Sequence, residues 1–146
     1  GEYYRLLQAV RDCGVDNAKE WEEWILFILK GVEETSIETT AMIKAISKMM
    51  ADYKAVLKPL FGTTYKHELL NNLFFHPYTK IEFVCHDMGV QRKTGAKYLD
   101  MIVAAGLLNK IKIGRENYYI NERLFELFLN YSESVNTEDA DIIRTE

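Results

Sequence analysis

The chain has 146 residues, 48% apolar, 27% charged and 12% aromatic, with a net charge of −4. Those proportions fit a folded globular protein and exclude a disordered chain. The longest apolar run, Trp24 to Leu29, holds six residues where a membrane-spanning helix needs roughly 20, so no membrane partner is expected.

Residues 2–12 read as a helix, because Tyr3, Leu6, Leu7 and Val10 recur at i, i+3, i+4 and i+7. Gly14 is its expected stop. A helix that begins straight after Gly1 reads as a cut end, so a piece of a longer protein is expected. A second helical block spans about Asn17 to Lys58. Trp21, Trp24, Ile25, Ile28, Leu29 and Val32 make one apolar stripe, and Ile43, Ile46, Met50, Tyr53 and Leu57 make another. Glu33-Glu34-Thr35-Ser36 is the weak point between them, where a hydroxyl could cap a new helix, so two helices or one kinked helix are expected. Pro59 and Gly62 close the block. The expected division is therefore 1–62 as a helical segment, 63–131 as a second domain and 132–146 as an acidic tail anchored by Ile142 and Ile143.

The second domain follows a different pattern. Tyr65–Phe75 is a helix broken by Pro77, Lys80–Met88 a short one, and Gly89-Val90 a tight turn. Gln91–Ala105 is a third helix with Tyr98, Leu99 and Ile102 inward, ended by Gly106. Leu108–Ile113 alternates as a strand, residues 114–117 form a hairpin loop, and Tyr118–Ile120 returns. Asn121 caps a last helix carrying Leu124, Leu127, Phe128 and Tyr131. The fold class is mostly α: a helical segment, then a winged helix-turn-helix with a two-stranded ribbon.

Charge is uneven along these segments: −2 over residues 1–65, +2 over 66–131 and −4 over 132–146. The basic middle points to one surface. Gln91, Arg92, Lys93, Thr94 and Lys97 open the third helix, and Lys110, Lys112, Arg115 and Asn117 lie on the ribbon. Helix-start amides and cations both suit phosphate oxygens, so these nine residues are the candidate nucleic-acid or partner site. Asp100 and Glu116 oppose the cations on that surface. No catalytic or metal-binding residue is read. His76-Pro77-Tyr78 is a helix end rather than a catalytic histidine, because no Gly-Asn dipeptide exists to cradle phosphate. His67 and His86 stand alone, the eight glycines are singletons, and Trp21 and Trp24 read as packing. Cys13 and Cys85 lack metal or disulfide spacing and read as reduced thiols, which with no secretory signal predicts a cytoplasmic protein.

Several phrases, in order, resemble the C-terminal part of Fic-family proteins (filamentation induced by cAMP), from Glu2 to about Leu129. Tyr3-Tyr4-Arg5-Leu6-Leu7 through Arg11 is similar to the helix after the family's catalytic core, and Trp21-Glu22-Glu23-Trp24-Ile25 through Gly31 to Thr35 to the next one. Pro77 to Ile81, Arg92-Lys93-Thr94, Lys97-Tyr98-Leu99, Gly106-Leu107-Leu108 and Gly114 to Asn121 resemble its appended winged helix. The resemblance implies AMP transfer from ATP, with Mg, to a hydroxyl of a target protein by a full-length parent. That activity needs a loop of the form H-x-F-x-D/E-G-N-G/K-R, which this chain lacks, so no catalytic residue and no cofactor are carried over. Gln91 stands where the family commonly has Ser, and Gly95 where it has Ala. A weak cap and a mid-helix glycine, which costs roughly 0.5–1 kcal/mol, predict looser docking of that helix on DNA.

Two functions follow as expectations. In the first, the chain is a non-catalytic accessory region that packs on the missing Fic core, and its winged helix recruits a target protein or mediates dimerisation. In the second, the winged helix is a regulatory DNA-binding module. In both, the N-terminal helices are expected to self-associate, because the second is apolar on more than one face.

Overall fold

The computed structural model describes residues 1–13 and 17–131. The expected stop at Gly14 and the expected order of the acidic tail lie outside the described residues. Two compact units emerge, one holding Gly1–Ile43 and one Lys44–Asn130.

In the first unit, helix α1 (Glu2–Cys13) buries Leu6 and Val10, while Tyr3 and Leu7 stay largely exposed. Only half of the expected stripe is therefore covered. The Tyr3 ring lies 5.2 Å from that of Trp24, which stacks in turn on Phe27. Trp24 is thus a packing residue, as expected. Helix α2 runs from Ala18 to Phe61 as one element of 44 residues, and does not divide at 33–36. The hydroxyls there bond backward instead of capping: Thr35 Oγ1 donates to the Gly31 carbonyl (2.8 Å) and Ser36 Oγ to that of Val32 (2.6 Å). A hydroxyl used this way satisfies itself inside the helix and frees no amide to begin a new one. Along this part of α2, Ile25, Leu26, Leu29, Val32 and Ile37 are 50–63% exposed.

The second unit begins earlier than the expected residue 63. Tyr53, Leu57 and Phe61, from the last turns of α2, belong to its core. Pro59 forfeits one backbone hydrogen bond, yet the helix continues through it by two residues. Gly62, at φ 53°, then opens a 3-10 turn to Thr64. Helices α3 (His67–Phe75), α4 (Ile81–Met88) and α5 (Arg92–Ala104) follow close to where periodicity placed them. Leu69, Leu70 and Leu73 of α3, Val84 and Met88 of α4, and Leu99 and Ile102 of α5 close over the α2 residues. Edge-to-face ring pairs, Tyr53 with Phe74 and Phe61 with Tyr98, each 5.0 Å apart, tie α2 to α3 and α5.

The sheet has three antiparallel strands rather than two, in the order β1-β3-β2. Strand β1 (Tyr78–Thr79) is too short to show alternation in sequence and pairs with the end of β3. Strands β2 (Asn109–Ile113) and β3 (Glu116–Ile120) form the wing. Its loop is only Gly114-Arg115, with Gly114 at φ 61°, the glycine-first arrangement that suits the twist of a two-residue hairpin. Asn121 then caps helix α6 (122–131), its Oδ1 accepting the Leu124 amide at 3.2 Å, as expected. The sequence of elements from α3 to β3 is a winged-helix-like arrangement, with α4 and α5 as the helix pair.

Candidate functional site

Helix α5 is positioned by its approach to α4. Gly89, at φ 64°, closes α4 in the left-handed conformation, and the Val90 amide bonds the Cys85 carbonyl, so the chain reverses within two residues. Gly95 is what lets the helices meet: a Cβ there would stand 2.7 Å from Cys85 Sγ. The glycine read from sequence as a weakness of α5 is therefore also where Cys85 of α4 comes closest to that helix. Gln91 holds the N-cap position without a side-chain cap bond, which agrees with its being a weak cap.

Gly95→Ala sets about 1 kcal/mol of helix propensity against an overpacking cost of roughly 1–3 kcal/mol. Net destabilisation of about 1 kcal/mol is expected in urea unfolding. In a Cys85→Ala background the sulfur is gone, and the same change becomes neutral or stabilising. Equal effects in both backgrounds would show that Sγ is not the obstacle.

The nine sequence-derived site residues separate into three groups. Arg92, Arg115 and Asn117 meet at a small cleft of about 70 Å³ between the starts of α4 and α5 and the wing, together with Lys80, Glu82 and Glu116. Lys93, Lys97 and Lys112 are exposed, Thr94 is half-buried, and Gln91 is exposed at the helix start. Among the described residues Arg92, Lys93, Lys97, Lys112 and Arg115 have no carboxylate within 4 Å. Lys110 differs: its Nζ donates to Asp100 of α5 at 2.7 Å and sits 5.4 Å from the Tyr119 ring centroid. That bond to Asp100 raises the Lys110 pKa.

Lys80, which sequence reasoning passed over, is the better-held cation. Its Nζ lies 2.6 Å from Glu116 Oε2 and 4.5 Å from the Tyr118 ring centroid. The carboxylate beside it pushes the ammonium well above the usual lysine range, and Lys80 in turn draws Glu116 below the usual carboxylate range. Both acids expected to oppose the basic surface thus each hold one lysine. Nothing in sequence spacing marks Lys80, 36 residues from its partner.

A second, aromatic cleft of about 250 Å³ lies between α3, β1 and α4 and was missed as well. Phe75, 80% exposed, stands at its edge with His76, Tyr78 and Phe83. The His76-Pro77-Tyr78 segment leaves the end of α3 at the His76 C-cap and leads into β1, and its His76 and Tyr78 rings stack (centroids 5.9 Å, planes 17° apart). Among the described residues no group of His, Cys, Asp or Glu side chains could hold a metal ion, and no helix is long and apolar enough to cross a membrane.

A helix pair set by a glycine turn, a two-residue wing and a basic start to α5 define a small winged-helix-like domain. Residues 49–124 match the C-terminal domain of SoFic-like protein adenylyltransferases, which covers more than half of the sequence, and the chain belongs to that family. The match begins inside α2, so the family domain includes the turns that carry Tyr53, Leu57 and Phe61. A solved structure, that of RV1404 from Mycobacterium tuberculosis, aligns at 18% identity over 76% of this chain and 80% of that one, with a TM-score of 0.35, too low to bear on fold or function.

Proposed function

We propose that this chain is a non-catalytic C-terminal region of a Fic-type adenylyltransferase, and that its 44–130 unit recruits the protein to be modified. The observation that carries the reading is the aromatic cleft. Phe75 is the most exposed large apolar side chain among the described residues. An exposed aromatic surface of this kind is what protein partners use as an anchor, and it has no use in phosphate recognition. The exposed apolar side chains of α2 between Ile25 and Ile37 serve a different contact: the catalytic core of the parent enzyme, or a second copy when that core is missing. The chain itself supplies no Gly-Asn phosphate cradle, so ATP and Mg belong to the parent's core.

The test compares the parent enzyme with and without residues 44–130. Transfer of labelled AMP to proteins in a lysate is scored beside labelling of the enzyme itself. Loss of the first with retention of the second is expected. Equal loss of both makes the unit a folding support, and unchanged transfer overturns recruitment.

The five unpaired cations on α5 and the wing favour DNA as the second reading. In the same preparation, duplex binding whose log affinity falls with log salt at about −0.9 per phosphate contact, and which Arg92→Ala/Lys93→Ala weakens, would move the conclusion to it.

A further inference from the structure

Resting on the recruitment reading, we infer that the aromatic cleft between α3, β1 and α4 receives a cationic side chain, arginine or lysine, of the protein partner. Three aromatic rings border the space: Phe75 and Tyr78, and Phe83, whose centroid is 6.0 Å from Lys80 Nζ. Asp87 lines it too, and with Glu68 lines a shallower cleft alongside that shares Phe75. No lysine or arginine lines either one. Ring faces carry negative potential, so the Phe75 and Tyr78 rings beside carboxylates, with no lysine or arginine in the lining, make a surface complementary to positive charge. A purely apolar visitor would cover the remaining acceptor capacity of Asp87 without offering it a donor, which costs binding energy.

The carboxylate is set in place before any partner arrives. Asn72 Nδ2 donates to Asp87 Oδ2 at 2.6 Å, and Asn72 Oδ1 accepts from Thr79 Oγ1 at 2.6 Å. Asn72 and Thr79 are both buried, so the chain from β1 through α3 to α4 fixes where Asp87 points. His86 Nδ1 lies 2.9 Å from the other oxygen, Oδ1. An ionised carboxylate accepts about four hydrogen bonds, which leaves capacity for a guanidinium or ammonium donor. Fixing the acceptor in advance removes part of the ordering cost of binding.

The probe is acetyl-Gly-Arg-Gly-amide, titrated into the full 146-residue chain and followed by amide NMR. The control is the same peptide with neutral, isosteric citrulline in place of arginine. Saturable shifts at residues 75–78 and 86–87 are expected, with the citrulline peptide weaker by about tenfold or more. Asp87→Asn keeps the acceptor for Asn72 and should weaken the arginine peptide by about tenfold while leaving the citrulline peptide unchanged. Phe75→Ala should weaken the arginine peptide in its own right. Equal binding of both peptides, shifts centred on Glu82 and Glu116, or no saturable shift at all would each overturn the assignment. Target labelling that needs residues 44–130 but is indifferent to Asp87→Asn would overturn this site and leave recruitment standing. Peptide binding with labelling indifferent to loss of the unit would do the reverse.

Discussion

Replacing Asn121 by alanine is expected to cost the 44–130 unit about 3 kcal/mol. Three separate losses combine. The Leu124 amide at the start of α6 loses its cap acceptor, a change worth about 0.5–2 kcal/mol. The Leu73 carbonyl loses the donor from Asn121 Nδ2, 3.2 Å away, in a buried setting where an unmet acceptor costs roughly 1–3 kcal/mol. The Tyr53 hydroxyl, 2.8 Å from Asn121 Oδ1, loses one of two acceptors; the Leu107 carbonyl, also 2.8 Å away, remains for its single proton. Asn121→Ser should cost less, since it keeps a cap. Asn121→Asp should cost more at neutral pH than asparagine's isosteric shape suggests, because it sets a charged oxygen beside the Leu73 carbonyl. Tyr53→Phe should be the mildest, since Asn121 keeps its other partners. Urea unfolding of the four variants checks the order. An alanine variant within about 1 kcal/mol of the parent would mean that water fills the site, and that Asn121 does not tie the wing to α2 and α3.

Which parts of this structure were legible in sequence follows from the range of the interactions that make them. Asn121 was readable as a cap because a cap acts over three residues. The Gly89 turn, the Gly106 stop and the Gly114 hairpin were readable because each needs a positive φ at one position. The basic residues of α5 and the wing cluster in sequence, but only Arg92, Arg115 and Asn117 meet at one cleft, and Lys110 bonds Asp100 instead. What escaped depends on partners far along the chain. Gly95 is explained by Cys85 on a neighbouring helix. Lys80 is explained by Glu116, and the aromatic cleft by side chains from α3, β1 and α4 meeting in space. Strand β1 escaped because two residues cannot show a period. The unit boundary escaped because a helical stripe records that a face is covered, and not which body covers it.

The boundary gives the largest effect. A chain of residues 44–130 is expected to fold cooperatively, whereas residues 63–130, the division suggested by Pro59 and Gly62, are expected to show no cooperative melting. The shorter piece lacks Tyr53 and Leu57, both fully buried, and Phe61. Removing a large buried apolar side chain costs roughly 2–5 kcal/mol, and three are removed together from a domain whose whole stability is about 5–15 kcal/mol. Their partners would also be uncovered, since Phe74 and Tyr98 each pack edge-to-face on a ring of α2. The Arg123 contact to Asp52, at 3.7 Å and exposed on both sides, adds little to that sum. The physical reason Pro59 misleads is its place two residues from the helix end, where one lost backbone bond is small beside the burial of Phe61. Circular dichroism melts of both pieces, with a synthetic 44–62 helix added to the shorter one, decide the matter. Recovery of a cooperative transition on adding the helix is the expected result. A 63–130 piece that melts cooperatively by itself, near the temperature of the longer one, would place the α2 residues outside the core.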